Sequence, residues 1–157
     1  MKKLFLTLTF IFGLFTINAQ RAQSIYAEIL GNGLFYSVNY DVRFANVDNQ
    51  FGIRLGAAYF VEAAYLIVQP NYLFGEDKHK LELGAGFTTL LEFGNGANEN
   101  QLAANASIMY RFQNPEGNFL FQAGLAPTFV PIDEDDTFSG LSRLFWIWPG
   151  VSFGYKF

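Results

Sequence analysis

Apolar side chains fall at every second position through most of this chain. Leu34, Tyr36, Val38, Tyr40, Val42 and Phe44 share one parity, and Phe35, Ser37, Asn39, Asp41 and Arg43 occupy the other. Phe51, Ile53, Leu55, Ala57 and Tyr59 then alternate with Gly52, Arg54, Gly56 and Ala58. Period 2 places successive side chains on opposite faces of a strand, so each segment predicts a strand with one apolar and one polar face. The polar stretch Ala45 to Gln50 is short enough to make these two strands a hairpin. The pattern recurs twice. Leu66 to Phe74 leads through Gly75 to His79 into Leu81 to Leu91, and Leu102 to Phe112 leads through Asn114 to Asn118 into Phe119 to Phe129.

The last segment, about Arg143 to Phe157, adds a strand whose end sets Val151, Phe153, Tyr155 and Phe157 against Ser152, Gly154 and Lys156. Taking Ser24 to Leu30 as a first strand gives eight, with Gly31 to Gly33 as its connection to the second. The competing reading makes those glycines a bulge inside one long strand. Eight is preferred because single-chain bacterial barrels have an even strand number. Phe60 to Ala64, Phe93 to Asn100 and Ile132 to Ser142 remain irregular connections. Pro70 and Pro127 cannot donate to a ladder and are expected near strand ends or bulges. The fold class is thus all-β: an eight-stranded antiparallel up-and-down transmembrane barrel.

The N-terminus changes the domain picture. Lys2 and Lys3 precede a nearly unbroken apolar run from Leu4 to Ile17, and Asn18-Ala19 offers a small residue for cleavage, the layout of a secretory signal peptide. The expected organisation is a signal peptide over 1–19 and a barrel over 20–157, about 138 residues and one domain. Losing Lys2 and Lys3 takes the net charge from −4 to −6, which does not support a nucleic-acid footprint. The chain has no cysteine, so disulfides and thiolate metal sites are excluded. Its 19 Phe and 8 Tyr are spread through the alternating segments, as membrane-facing strands with aromatic girdles require.

Consistent parity sends Glu28, Asp41, Glu82, Arg43, Arg54, Arg111 and Lys156 inward, with Gly52, Gly56, Gly84, Gly86, Gly124 and Gly154 making room. An eight-stranded barrel is just wide enough for side chains to fill it, so the expected arrangement is an ion-pair network that plugs the lumen. Isolated ions away from water are costly, so opposite charges must pair. Arg54 and Glu82 share inward parity and are expected to meet.

No catalytic, cofactor or metal site emerges. His79 is the one histidine, reads as a solvated turn residue, and has no second ligand for a transition metal. Asp133, Glu134, Asp135 and Asp136 form an acidic run in the last long loop, without the spacing and glycine of a calcium loop. Gly31-Asn-Gly33 and Gly94-Asn-Gly96 lack the helix context of a nucleotide loop and read as turns. Trp146 and Trp148 near the outer end of the last strand suit interfacial anchoring.

With the signal peptide, eight alternating segments, three tight turns and terminal Phe157, the chain resembles small bacterial outer-membrane β-barrels of the OmpA/OmpX type across essentially its whole mature length. Phrases such as Glu28-Ile-Leu-Gly-Asn-Gly-Leu-Phe-Tyr-Ser-Val-Asn-Tyr40 and Leu81-Glu-Leu-Gly-Ala-Gly86 are similar to a group of uncharacterised Gram-negative barrels. The resemblance implies residence in the cell outer membrane with lipid and lipopolysaccharide as surroundings. It also implies that Phe153, Tyr155 and Phe157 form the C-terminal assembly signal read by the barrel-assembly machinery. The expected role is structural or surface-interaction, not enzymatic, with no cofactor; the alternative is transport of small or apolar molecules. A soluble lipocalin-like barrel is the remote alternative, and it would need an apolar interior and a polar exterior.

Overall fold

A computed structural model of the protein describes residues 22–44, 50–60, 63–92, 101–129 and 146–157. Eight strands close into one antiparallel barrel in sequence order. They are β1 (Gln23–Leu30), β2 (Tyr36–Arg43), β3 (Gln50–Phe60), β4 (Ala63–Phe74), β5 (His79–Glu92), β6 (Gln101–Gln113), β7 (Phe119–Phe129) and β8 (Trp146–Lys156). Closure comes from β1 pairing β8, from Ser24 opposite Lys156 to Leu30 opposite Gly150. Phe157 extends the seam, since its N–H donates to the Gln23 carbonyl at 3.0 Å and its carbonyl accepts from Gln23 at 3.2 Å. Closure leaves no free edge, so every strand finds a partner on both sides.

The alternation turns this barrel inside out relative to a water-soluble one. Among the described residues twenty buried residues are polar or charged and only seven are apolar. Large apolar groups sit outside instead, with Phe51 60 % and Ile29 58 % exposed. An apolar exterior around a polar interior is the distribution of barrels that face lipid, and the opposite of a lipocalin-like ligand barrel.

Several boundaries differ from the sequence expectation. Leu34 and Phe35 belong to the connection, and β2 starts at Tyr36. β4 starts at Ala63, so most of the expected irregular stretch 60–64 is strand, as Phe60 lies opposite Ala63. His79 opens β5 instead of lying in the turn, and its Nδ1 is 2.6 Å from the Tyr110 hydroxyl. Pro70 stands well inside β4, opposite Ile53. It is accommodated without a bulge: pairing with β5 lapses at Gln69 and Pro70 and resumes in the same register at Asn71 opposite Gly84. A similar lapse falls at Ala106 and Ser107 of β6, beside Pro127, between Asn105 opposite Thr128 and Ile108 opposite Leu125. The proposed signal peptide, the acidic run 133–136 and the 94–96 tripeptide lie outside the described residues.

The Gly31–Gly33 connection departs most from a plain outward turn. It forms a short 3-10 turn that ends β1, so the bulge reading does not hold, and all three of its residues are buried. It packs against β3, β4, β6, β7 and β8 as well as its own neighbours, which puts it across the barrel interior.

Candidate functional site: the polar lumen

Strand parity delivers the lumen residues, and register decides which of them meet. β1 contributes Ser24, Tyr26 and Glu28; β2 contributes Ser37, Asn39, Asp41 and Arg43; β3 contributes Arg54. Gln69 and Asn71 come from β4, Lys80, Glu82 and Thr88 from β5, and Asn105, Ser107, Arg111 and Gln113 from β6. Gln122 and Thr128 of β7 and Ser152 of β8 complete the wall. Charges removed from water need partners, and the lumen supplies them.

The first network lies toward the chain termini. Arg43 and Asp41, two apart on one strand and therefore on one face, form an ion pair, with Arg43 Nε donating to Asp41 Oδ1 at 2.8 Å. Asn71 Nδ2 donates to Asp41 Oδ2 at 2.8 Å. Arg111 crosses the lumen: Nη1 donates to Glu82 Oε2 at 2.6 Å and stands 3.5 Å from Asp41 Oδ2. Its Nε donates to Gln113 Oε1 at 2.8 Å and its Nη2 to Ser24 Oγ at 3.1 Å. Gln122 Nε2 adds a donor to Glu82 Oε2 at 2.9 Å. One guanidinium thus ties β1, β2, β5 and β6 together, using the planar fork of donors that lysine lacks.

The second network reaches toward the other end. Arg54 pairs with Glu28, its Nε donates to Asn39 Oδ1 at 2.8 Å, and its guanidinium lies 5.5 Å from the centre of the Tyr26 ring. Ser37 Oγ donates to Glu28 Oε2 at 3.1 Å and accepts from Asn39 Nδ2 at 2.8 Å. The expected Arg54–Glu82 meeting is therefore corrected: Arg54 takes Glu28, and Glu82 takes Arg111. Adjacent strands explain the Glu82 choice, because β5 borders β6 and not β3. Arg54 is directly opposite Asp41 in register, yet turns away from it. Asp41 is already engaged by Arg43, Arg111 and Asn71, whereas Glu28 has no other cation in reach of an ion pair among the described residues.

A neutral cluster links the upper wall. Gln69 Nε2 donates to Asn105 Oδ1 at 2.8 Å, Asn105 Nδ2 to Thr88 Oγ1 at 2.7 Å, and Ser107 Oγ to Gln69 Oε1 at 3.1 Å. Parity sends these amides inward, with Asn71, Gln113 and Gln122, but an uncharged group carries no demand for an opposite charge that would mark it in the sequence. Lys80, 6 % exposed, also lines the lumen, between the expected turn and the expected strand from Leu81. Some buried atoms around the lumen have no protein partner: Asn71 Oδ1, Glu82 Oε1 and Gln122 Oε1 in the first network, Tyr26 OH and Glu28 Oε1 in the second, and Thr128 Oγ1, Ser152 Oγ and both ends of the Asn32 amide elsewhere.

Lys156 follows the inward parity and is partly exposed beside the β1 seam. Phe153, Tyr155 and Phe157 face outward and are at least half exposed, Phe153 lying 5.3 Å from Phe121 and Tyr155 6.3 Å from Phe157 between ring centres. Trp148 falls on the inward parity opposite buried Ala126, which differs from the interfacial placement expected of it. Among the described residues no group of three or more His, Asp or Glu could hold a metal ion.

This architecture is that of an outer-membrane-type eight-stranded barrel. A solved structure with the same fold is the N-terminal β-barrel domain of Pseudomonas aeruginosa OprF, matched over 87 % of this chain and 96 % of that one with a TM-score of 0.56 and 14 % identity. No protein-family model and no curated protein sequence matches the chain.

Proposed function

We propose that this chain is an integral outer-membrane barrel with a structural or surface-interaction role, its lumen plugged by charged side chains. The observation that carries the reading is Arg111, whose guanidinium spans the interior between Glu82 and Asp41 while contacting Ser24 and Gln113. An interior just wide enough for side chains has little space for a water column beside such a crosspiece. The outward aromatic and aliphatic face supports residence in lipid, and the likeness of fold to the OprF barrel domain supports the outer membrane as that lipid. Phe153, Tyr155 and Phe157 serve in this reading as the signal for the barrel-assembly machinery. No catalytic role is proposed.

The test has two arms. Fractionation should recover the protein with outer membranes, and the folded form should migrate differently on a gel before and after boiling. Reconstituted into planar bilayers, the barrel should give no stable large channel; reproducible solute flux would favour transport instead. That second reading has one observation behind it, the lapses beside Pro70 and Pro127, where the ladders of β4 with β5 and of β6 with β7 are interrupted.

A further inference from the structure

We propose that the Gly31–Gly33 connection is a lid folded into the barrel, closing the lumen at the end away from the chain termini and able to swing out. Connections between barrel strands ordinarily run over the surface, where water satisfies their backbone. Here all three residues are buried, and the turn touches the walls formed by β3, β4, β6, β7 and β8. A loop that reaches those walls must lie across the opening.

The fit of the turn is tight on the side of its own strands. A Cβ at Gly33 would lie 2.5 Å from Ser37 Cβ, and one at Gly31 would lie 2.6 Å from the Glu28 carboxyl carbon, with Gly31 at φ +71°. Ser37 and Glu28 are both held in the Arg54 network, so neither can withdraw freely. Glycine is therefore what lets the connection enter the lumen.

Its fastening on the far side is slight. Thr88 Oγ1 reaches the Asn32 carbonyl at 3.4 Å, while Nδ2 and Oδ1 of the buried Asn32 side chain have no protein partner. Meanwhile Leu30 and Leu34, which flank the turn, both hold positive φ, +62° and +65°. Bulky residues avoid that region, so the inward position carries backbone strain at both hinges. Strained hinges, a weak latch and an unsatisfied buried amide together describe a segment near balance between an inward and an outward state.

The lid adds a second closure to the ion-pair plug and rests on the reading of the lumen as sealed. Its test uses the absence of native cysteine. In the folded barrel in detergent, an Asn32→Cys variant is reacted with a bulky water-soluble maleimide beside Glu116→Cys in an exposed turn. Asn32→Cys should label roughly 100-fold or more slowly than Glu116→Cys, as expected for a site reached only by local opening. Adding Gly33→Ala, which cannot seat, should bring the rate at position 32 within about tenfold of the exposed control. Thr88→Val, which removes the latch with little change of shape, should accelerate labelling by a smaller factor and decides the matter if Gly33→Ala does not fold.

Labelling of Asn32→Cys at the control rate would show that the turn is not inside. Slow labelling unchanged by either second substitution would show a fixed plug and overturn the lid. The sealed-lumen reading fails separately: a barrel that conducts while position 32 stays protected defeats that reading and leaves the inward turn standing.

Discussion

In the half of the lumen near the chain termini, Arg111 binds Glu82, Asp41, Ser24 and Gln113, and Asp41 also holds Arg43 and Asn71. In the half beyond, Arg54 binds Glu28 and Asn39 under a turn whose own amide is unpartnered. Both halves use an arginine and a carboxylate, but the first links two arginines and two carboxylates through shared ion pairs, whereas the second holds a single ion pair. A buried ion pair recovers its desolvation cost only where further hydrogen bonds satisfy the remaining donors and acceptors. The lower network adds such bonds from Ser24, Gln113, Asn71 and Gln122, and the upper one from Asn39 and Ser37, yet each leaves a carboxylate oxygen without a protein partner, Glu82 Oε1 below and Glu28 Oε1 above. The difference teaches that the ion pairs bracing this barrel are concentrated at one level, while the inward turn lies at the other.

The largest effect should follow from Arg111→Leu, which strips Glu82 of its cation and Asp41 of one of two. Loss of a single partner from a buried pair costs about 3–5 kcal/mol, so the unfolding midpoint of the refolded barrel in urea should fall by more than for any other single change in the lumen. A small loss would show that the lower network is not the main brace.

Arg54→Leu should come next, at about 3 kcal/mol, because it leaves Glu28 without its ion-pair partner. Combined with Glu28→Leu the loss should shrink, since two apolar groups replace a pair and no lone charge remains. Strict additivity of the two singles would refute their pairing. The same cycle on Arg54 and Glu82 should be close to additive, because these groups belong to different pairs.

Ser37→Ala removes the hydroxyl that bridges Glu28 and Asn39 and should cost about 1 kcal/mol, with the Arg54 pair intact. A loss near that of Arg54→Leu would mean that the upper network is as cooperative as the lower and that the two halves do not differ. Phe157→Ala, which keeps the two backbone bonds to Gln23, should have the smallest effect on stability, under about 1 kcal/mol for a ring that stays 57 % exposed. Its effect should appear instead as reduced outer-membrane insertion in cells, while Lys156→Ala on the opposite parity spares insertion. Normal membrane levels of Phe157→Ala would remove the assembly role from that terminal ring.

The sequence by itself determined the faces. Period 2 in segments such as Val38 to Arg43 and Val151 to Phe157 placed apolar groups outside and Asp41, Arg43, Arg54, Glu82 and Arg111 inside, because side-chain direction in a strand depends only on residue parity. Three hairpins and the strand number followed from turn residues and from the need to close. Pairing did not follow, because parity carries no information about height along the barrel or about which wall a long side chain crosses to. Arg54 chose Glu28 over Glu82 and over the directly opposed Asp41, an outcome fixed by competition among three arginines for shared acceptors. Nor could local pattern show that Gly31-Asn-Gly33 turns inward, since glycine permits an outward turn equally well. Only the closed tertiary structure, with Ser37 and Glu28 held at one side and Thr88 at the other, supplies the cavity into which those three residues fit.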